Sequence, residues 1–126
     1  MIHALRTDGG DSAYVPTTSV YSGVYAIVQP QSDPNASATL HEARNVGVTN
    51  TQIQLACPGK PAGSFYLHET MLINPIAYAL FVYSLTHDGP GNLSRIGFDT
   101  VCNQLVPPGL GLEDVLGTAA IALSSV

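Results

Sequence analysis

The side chains able to do acid–base or metal chemistry are few and widely spaced. Histidine occurs four times, at His3, His41, His68 and His87. No two have the i, i+4 spacing of a helical metal pair or the His-x-His spacing of a strand pair, so a metal site would have to be assembled by the fold. His68-Glu69 stands beside an expected bend and His87-Asp88 in a turn. A site shared by His68 and His87 is the sharpest chemical alternative to four surface or partly buried histidines. The nucleophile search gives less. No Gly-x-Ser-x-Gly elbow occurs, and neither Cys57 nor Cys102 stands in a motif that would activate a thiol. Asp8, Asp11, Asp33, Asp88, Asp99, Glu113 and Asp114 fall mostly in expected turns, arms or strand ends. Asp8 and Asp11 flank Gly9-Gly10 and form a candidate calcium pair, with solvated turn residues the preferred reading. Gly9-Gly10 and Gly109-Leu110-Gly111 lack the strand, helix and lysine of a phosphate loop. No residue stands out as catalytic, cofactor-binding or metal-binding, and neither a cofactor nor an enzyme is expected.

The totals narrow the class. At 126 residues the chain has the length of one domain and can bury most of its apolar surface. Charged residues make up 10% of it, against roughly 25% in ordinary soluble domains, a balance that favours association with other subunits. The net charge is −5, and Arg6, Arg44, Lys60 and Arg95 are its only cations apart from histidine. Four scattered cations cannot neutralise a phosphate backbone, which excludes direct nucleic-acid binding. The longest apolar run, near Pro75 to Val82, is too short to span a bilayer, so no membrane partner is expected. The first residues show no basic segment followed by an apolar one, which together with the initial Met reads as an unprocessed product made in a cytoplasm. Two cysteines in such a compartment read as buried free thiols, with one late bridge as the alternative. Asn35-Ala36-Ser37 and Asn92-Leu93-Ser94 match the glycosylation pattern, but without a secretory route they read as loop residues.

Positioning falls to short segments. Nine prolines and twelve glycines interrupt the chain at intervals that argue against long helices. Between them, Val20 to Val28, Ala36 to Glu42, Thr51 to Cys57, Ser64 to Ile73, Ala77 to Leu85 and Leu93 to Phe98 read as strands. Alternation is clearest at Ile53, Leu55 and Cys57, and Ala77 to Leu85 is apolar on both faces, as in a central strand. His87-Asp88-Gly89-Pro90-Gly91-Asn92 is the strongest turn signal. The rhythm implies an all-β fold, an antiparallel β-sandwich or jelly-roll-like barrel, with residues 1–19 as an N-terminal arm, 20–98 as the body and 99–126 as a C-terminal linker and docking strand. A short helical turn is expected at Leu112 to Leu116.

Four of these segments together carry a resemblance: Ser22-Gly23-Val24-Tyr25-Ala26-Ile27-Val28, Ala36 to Glu42, Gln52-Ile53-Gln54-Leu55, and Leu72 to Leu80. Their strand pattern resembles that of small β-sandwich structural proteins of tailed bacteriophages, capsid decoration or cement proteins among them. The resemblance implies an oligomeric virion protein that binds copies of itself and a major capsid or other virion protein, made in the host cytoplasm and located in the virion. A carbohydrate- or receptor-binding module, as in an adhesin or tail fibre, is the alternative.

Overall fold

A computed structural model describes residues 12–24 and 27–124 of the chain. Its sheet is small. Strand β1 (Thr17–Tyr21) pairs in parallel with β2 (Val48–Gln52), with Thr17 opposite Val48 and Tyr21 opposite Gln52. Both are rich in the β-branched residues that suit a pleated strand. Among the described residues there is no other strand, and the β-sandwich expectation is overturned. The long connection between β1 and β2 is irregular. It is held by side chains: Asn50 donates to Leu40 O (2.9 Å) and accepts from Leu40 N (3.0 Å), while Ser19 donates to Ala38 O (2.7 Å). Ala36 to Glu42, expected as a strand, contributes a single bridge, Ser12 to His41.

The remaining elements are helical. β2 runs straight into the short helix α1 (Ile53–Ala56), so the alternating Thr51–Cys57 segment turns at Ile53 instead of continuing. Single-turn 3-10 segments follow at Pro61–Gly63 and Glu69–Ile73. Helix α2 (Pro75–Thr86) is the segment expected as a central strand. Its start is specified locally. Asn74 accepts from the amides of Ile76 (2.9 Å) and Ala77 (3.1 Å), and Pro75 occupies the first helical position, where its missing N–H costs nothing. The Tyr, Phe and Val content of α2 favours a strand only weakly, and this capped start together with packing overrides it.

Another 3-10 turn, Leu93–Arg95, replaces the expected return strand and leads to α3 (Phe98–Cys102). Helix α4 (Leu112–Ser124) extends the turn expected at Leu112 to Leu116 through most of the segment expected as a docking strand. It packs against the Glu69–Ile73 turn.

The core lies where α1, α2 and α3 meet the strands. Ile53, Ile76 and Leu80 are fully buried, with Tyr21, Tyr66, Ile73 and Val101 around them. Cys57, at the end of α1, is bonded to Cys102, the last residue of α3, with Cα atoms 5.5 Å apart. The free-thiol expectation is thereby corrected, because the fold stacks two positions that stand 45 residues apart in sequence. Gly63 fits against this junction because it has no side chain. A Cβ there would lie 2.1 Å from Cys57 O.

Candidate functional site

Both strands point their carboxyl ends the same way, and in parallel sheets that end is where ligands bind. Ser22 and Gly23 follow β1 directly, and Gln54 follows β2 by two residues. One amide ties them together. Gln54 Oε1 accepts from Gly23 N (2.9 Å), and Gln54 Nε2 donates to Ser22 Oγ (2.8 Å) and Ser64 O (3.0 Å). The segment from Ser64 to His68 is thus fastened to the strand ends at its first residue. Tyr66 fastens its middle: the ring is buried, its hydroxyl donates to Leu105 O, and burial raises the phenol above its ordinary value.

Anchoring Tyr66 inward turns its neighbours outward. Phe65 is 86% exposed and Leu67 45%, and Leu72 in the next turn is 84% exposed. His68 is exposed between them, at the start of the Glu69–Ile73 turn. Helix α4, packed on the same turn, adds the exposed side chains of Leu112 and Leu116. The result is an exposed imidazole in an apolar margin, on a segment whose first residue is tied to the carboxyl ends of a parallel strand pair.

The other histidines are placed differently. His87 caps the far end of α2, with its ring stacked on Tyr83 at 4.1 Å and Nδ1 within 3.2 Å of Tyr83 O and 2.9 Å of Thr86 Oγ1. The twelve residues of α2 put about 18 Å of helix between the His87 end and the end that follows the His68 turn. The expected alternative of a joint His68–His87 site is not assembled. His41 is exposed on the irregular connection, where its carbonyl accepts from Ala13 N (3.2 Å) and Ser12 Oγ (3.1 Å). His3 and the Asp8–Asp11 calcium candidate lie outside the described residues.

Two carboxylates among the described residues precede His68, and both are engaged. Asp33 accepts the Tyr21 hydroxyl, and Glu42 accepts Val46 N (2.8 Å). Burial first, and the Asp33 carboxylate next, raise the Tyr21 phenol above its ordinary value. Among the described residues no cluster of His, Cys, Asp and Glu could hold a metal ion, and no helix is long and apolar enough to cross a membrane. A concave region of about 540 Å³ runs along α2 and α3, away from His68, with Tyr78, Val82, Ile96 and Val101 in its walls and His87 and Arg95 beside them.

Sequence reasoning singled out His68 but missed Gln54, which it read as an outward strand residue. No local signal marks a glutamine whose partners stand up to 32 residues away.

No protein-family profile and no curated protein matches the chain. Among solved structures it is similar to Aspergillus fumigatus lipase B, at 55% sequence identity and a TM-score of 0.90. The alignment covers 97% of this chain and 29% of the lipase, so the chain spans less than a third of that protein's length. The similarity overturns the resemblance to phage decoration proteins, and with it the virion location, the capsid partners and the adhesin or tail-fibre alternative. It also overturns the expectation of a non-enzymatic protein, because what the chain matches is part of a hydrolytic enzyme. The strand-pattern resemblance failed because the segments that carried it are mostly helical or irregular: Leu72 to Leu80 enters α2, and Ile53 to Leu55 lies in α1.

Proposed function

We propose that this chain is the portion of a lipase-like ester hydrolase that supplies the general base, with His68 in that role. What supports this reading is the similarity to a lipase, together with an exposed His68 on a segment that Gln54 ties to the strand ends at Ser64 and whose apolar margin carries exposed Phe65, Leu67 and Leu72. An ester with an apolar acyl group would lie along that margin while the imidazole takes a proton from the attacking hydroxyl. In lipases of the α/β-hydrolase kind the nucleophile precedes the acid and the acid precedes the histidine. The chain contains no Gly-x-Ser-x-Gly elbow. In this reading the serine therefore comes from polypeptide equivalent to the part of the lipase that this chain does not span. The Cys57–Cys102 bond fits a protein folded in an oxidising, secretory compartment.

The test is hydrolysis of a chromogenic medium-chain ester by the polypeptide that contains this segment. Losing a positioned general base costs on the order of 10²- to 10⁴-fold in rate. His68→Gln should show that loss, while His87→Gln and His41→Gln should match the parent. Full activity in His68→Gln would refute the assignment.

A further inference from the structure

Both Asn-x-Ser sequences lie in a chain that contains a disulfide, and that changes what they mean. A disulfide between Cys57 and Cys102 marks an oxidising compartment, where asparagine-linked oligosaccharides are also added. The objection that no secretory route exists therefore falls, and the geometry of each asparagine can be asked directly.

Asn92 and Asn35 are both exposed, and the serine that completes each sequence, Ser94 or Ser37, is exposed too. The Asn92 amide is divided between two roles. Its Oδ1 accepts from Ser94 Oγ (2.7 Å) and Ser94 N (3.0 Å), while its Nδ2 makes no hydrogen bond among the described residues. The Nδ2 atoms of Asn50, Asn74 and Asn103 are committed instead, donating to Leu40 O (2.9 Å), Ala62 O (2.8 Å) and Asp99 O (2.7 Å). None of those three is followed two residues later by serine or threonine at an exposed site: Asn50 is followed by Gln52, Asn74 by Ile76 and Asn103 by Leu105.

Asn92 also stands on a fixed base. The preceding Gly91 donates its N–H to Thr18 Oγ1 of β1 (2.6 Å), and its carbonyl accepts from Thr49 Oγ1 of β2 (2.7 Å). The backbone is thus pinned to the sheet while the side chain faces water. A bulky substituent on Nδ2 would displace no protein contact among the described residues. Asn35 likewise makes no side-chain hydrogen bond there.

We propose that Asn92 is a site of asparagine-linked glycosylation, with Asn35 as a second acceptor. The donor is a lipid-pyrophosphate-linked oligosaccharide presented by a transferase. Asn92 Nδ2 forms the bond to the anomeric carbon as the carbon–oxygen bond to pyrophosphate breaks. The Nδ2 proton passes to a base of the transferase, and the lipid pyrophosphate leaves. Oδ1 stays free to accept from Ser94 in the finished conjugate. The inference rests on the disulfide and the asparagine geometry, independently of any role for His68.

The polypeptide that contains this segment should be secreted from a eukaryotic host and its peptides mapped by mass spectrometry before and after treatment with a peptide-N-glycosidase. The expected result is a hexosamine-containing mass on the Asn92 peptide, and conversion of Asn92 to aspartate on enzymatic release. Ser94→Ala and Asn92→Gln should each remove the same single step in gel mobility. Mapping of the parent protein reads occupancy even where a variant folds poorly. An unmodified Asn92 peptide in the secreted protein would overturn the proposal. So would secretion with Cys57 and Cys102 reduced. Loss of ester hydrolysis in His68→Gln with Asn92 still glycosylated separates the two assignments.

Discussion

Replacing Cys57 and Cys102 together by alanine tests how the two halves of the core are joined. The cross-link spans 45 residues of sequence. In the chain-entropy account, closing a loop of that size removes about 13 cal/mol/K from the unfolded ensemble, or about 4 kcal/mol at 25 °C. The cysteines are 1% and 5% exposed, so losing both sulfurs leaves space that adds about 1 kcal/mol. The expected loss, about 4–5 kcal/mol, is a large share of the 5–15 kcal/mol that holds a typical domain together. Urea unfolding followed by far-ultraviolet circular dichroism should show a much lower midpoint for the double variant, and for the parent under strong reductant. The slope against urea should rise, because an uncross-linked chain exposes more surface on unfolding. A midpoint for the double variant equal to that of the oxidised parent would refute the reasoning. Thiol titration of the unfolded parent would then show two free cysteines.

Two further outcomes follow from buried polar groups. Asn74→Ala removes the acceptor for Ile76 N and Ala77 N and leaves Ala62 O without its donor, all in a fully buried position. A loss of about 2–4 kcal/mol is expected, with α2 the first element to lose amide protection in hydrogen exchange; a loss under about 1 kcal/mol would count against the cap. Tyr21 and Tyr66 both have phenols raised by burial, with Asp33 adding to the shift at Tyr21. Their stabilising contribution is fully present below the unfolded tyrosine value of about 10 and is lost as pH rises through the folded values, because the unfolded chain releases those protons first. Unfolding midpoints measured from neutral to strongly alkaline pH should fall, and Tyr21→Phe should flatten the decline.

Neither the chemistry of the candidate site nor the architecture around it was plain in the sequence, which suggested no catalytic residue and no enzyme. His68 stood out by type and by its place beside a bend, and a bend is what the Glu69–Ile73 turn supplies. Its apolar setting was hidden, because Ser64 to Ile73 reads as a strand, in which Phe65 and Leu67 share one face. In the structure it is Tyr66, between them, that turns inward. Asn74-Pro75 is a helix-start signal in physical terms, but the aromatic and β-branched residues that follow it favoured a strand. Period-two alternation at Ile53, Leu55 and Cys57 covers too few residues to separate a strand from a helical turn, and Leu55 proves to be 62% exposed. The cysteine pairing depended on compartment and on tertiary approach, neither of which a spacing of 45 residues reveals.

The parallel pair of strands has one more consequence. Each five-residue strand has a single partner, so among the described residues both outer rims present backbone donors and acceptors with no ladder opposite them. Parallel sheets are found covered and extended, seldom as isolated ribbons. The open rims therefore form a template, and the chain is suited to strand addition. A separately produced peptide able to form a parallel strand would zip onto a rim, and the five residues available on each strand would limit how tightly it is held.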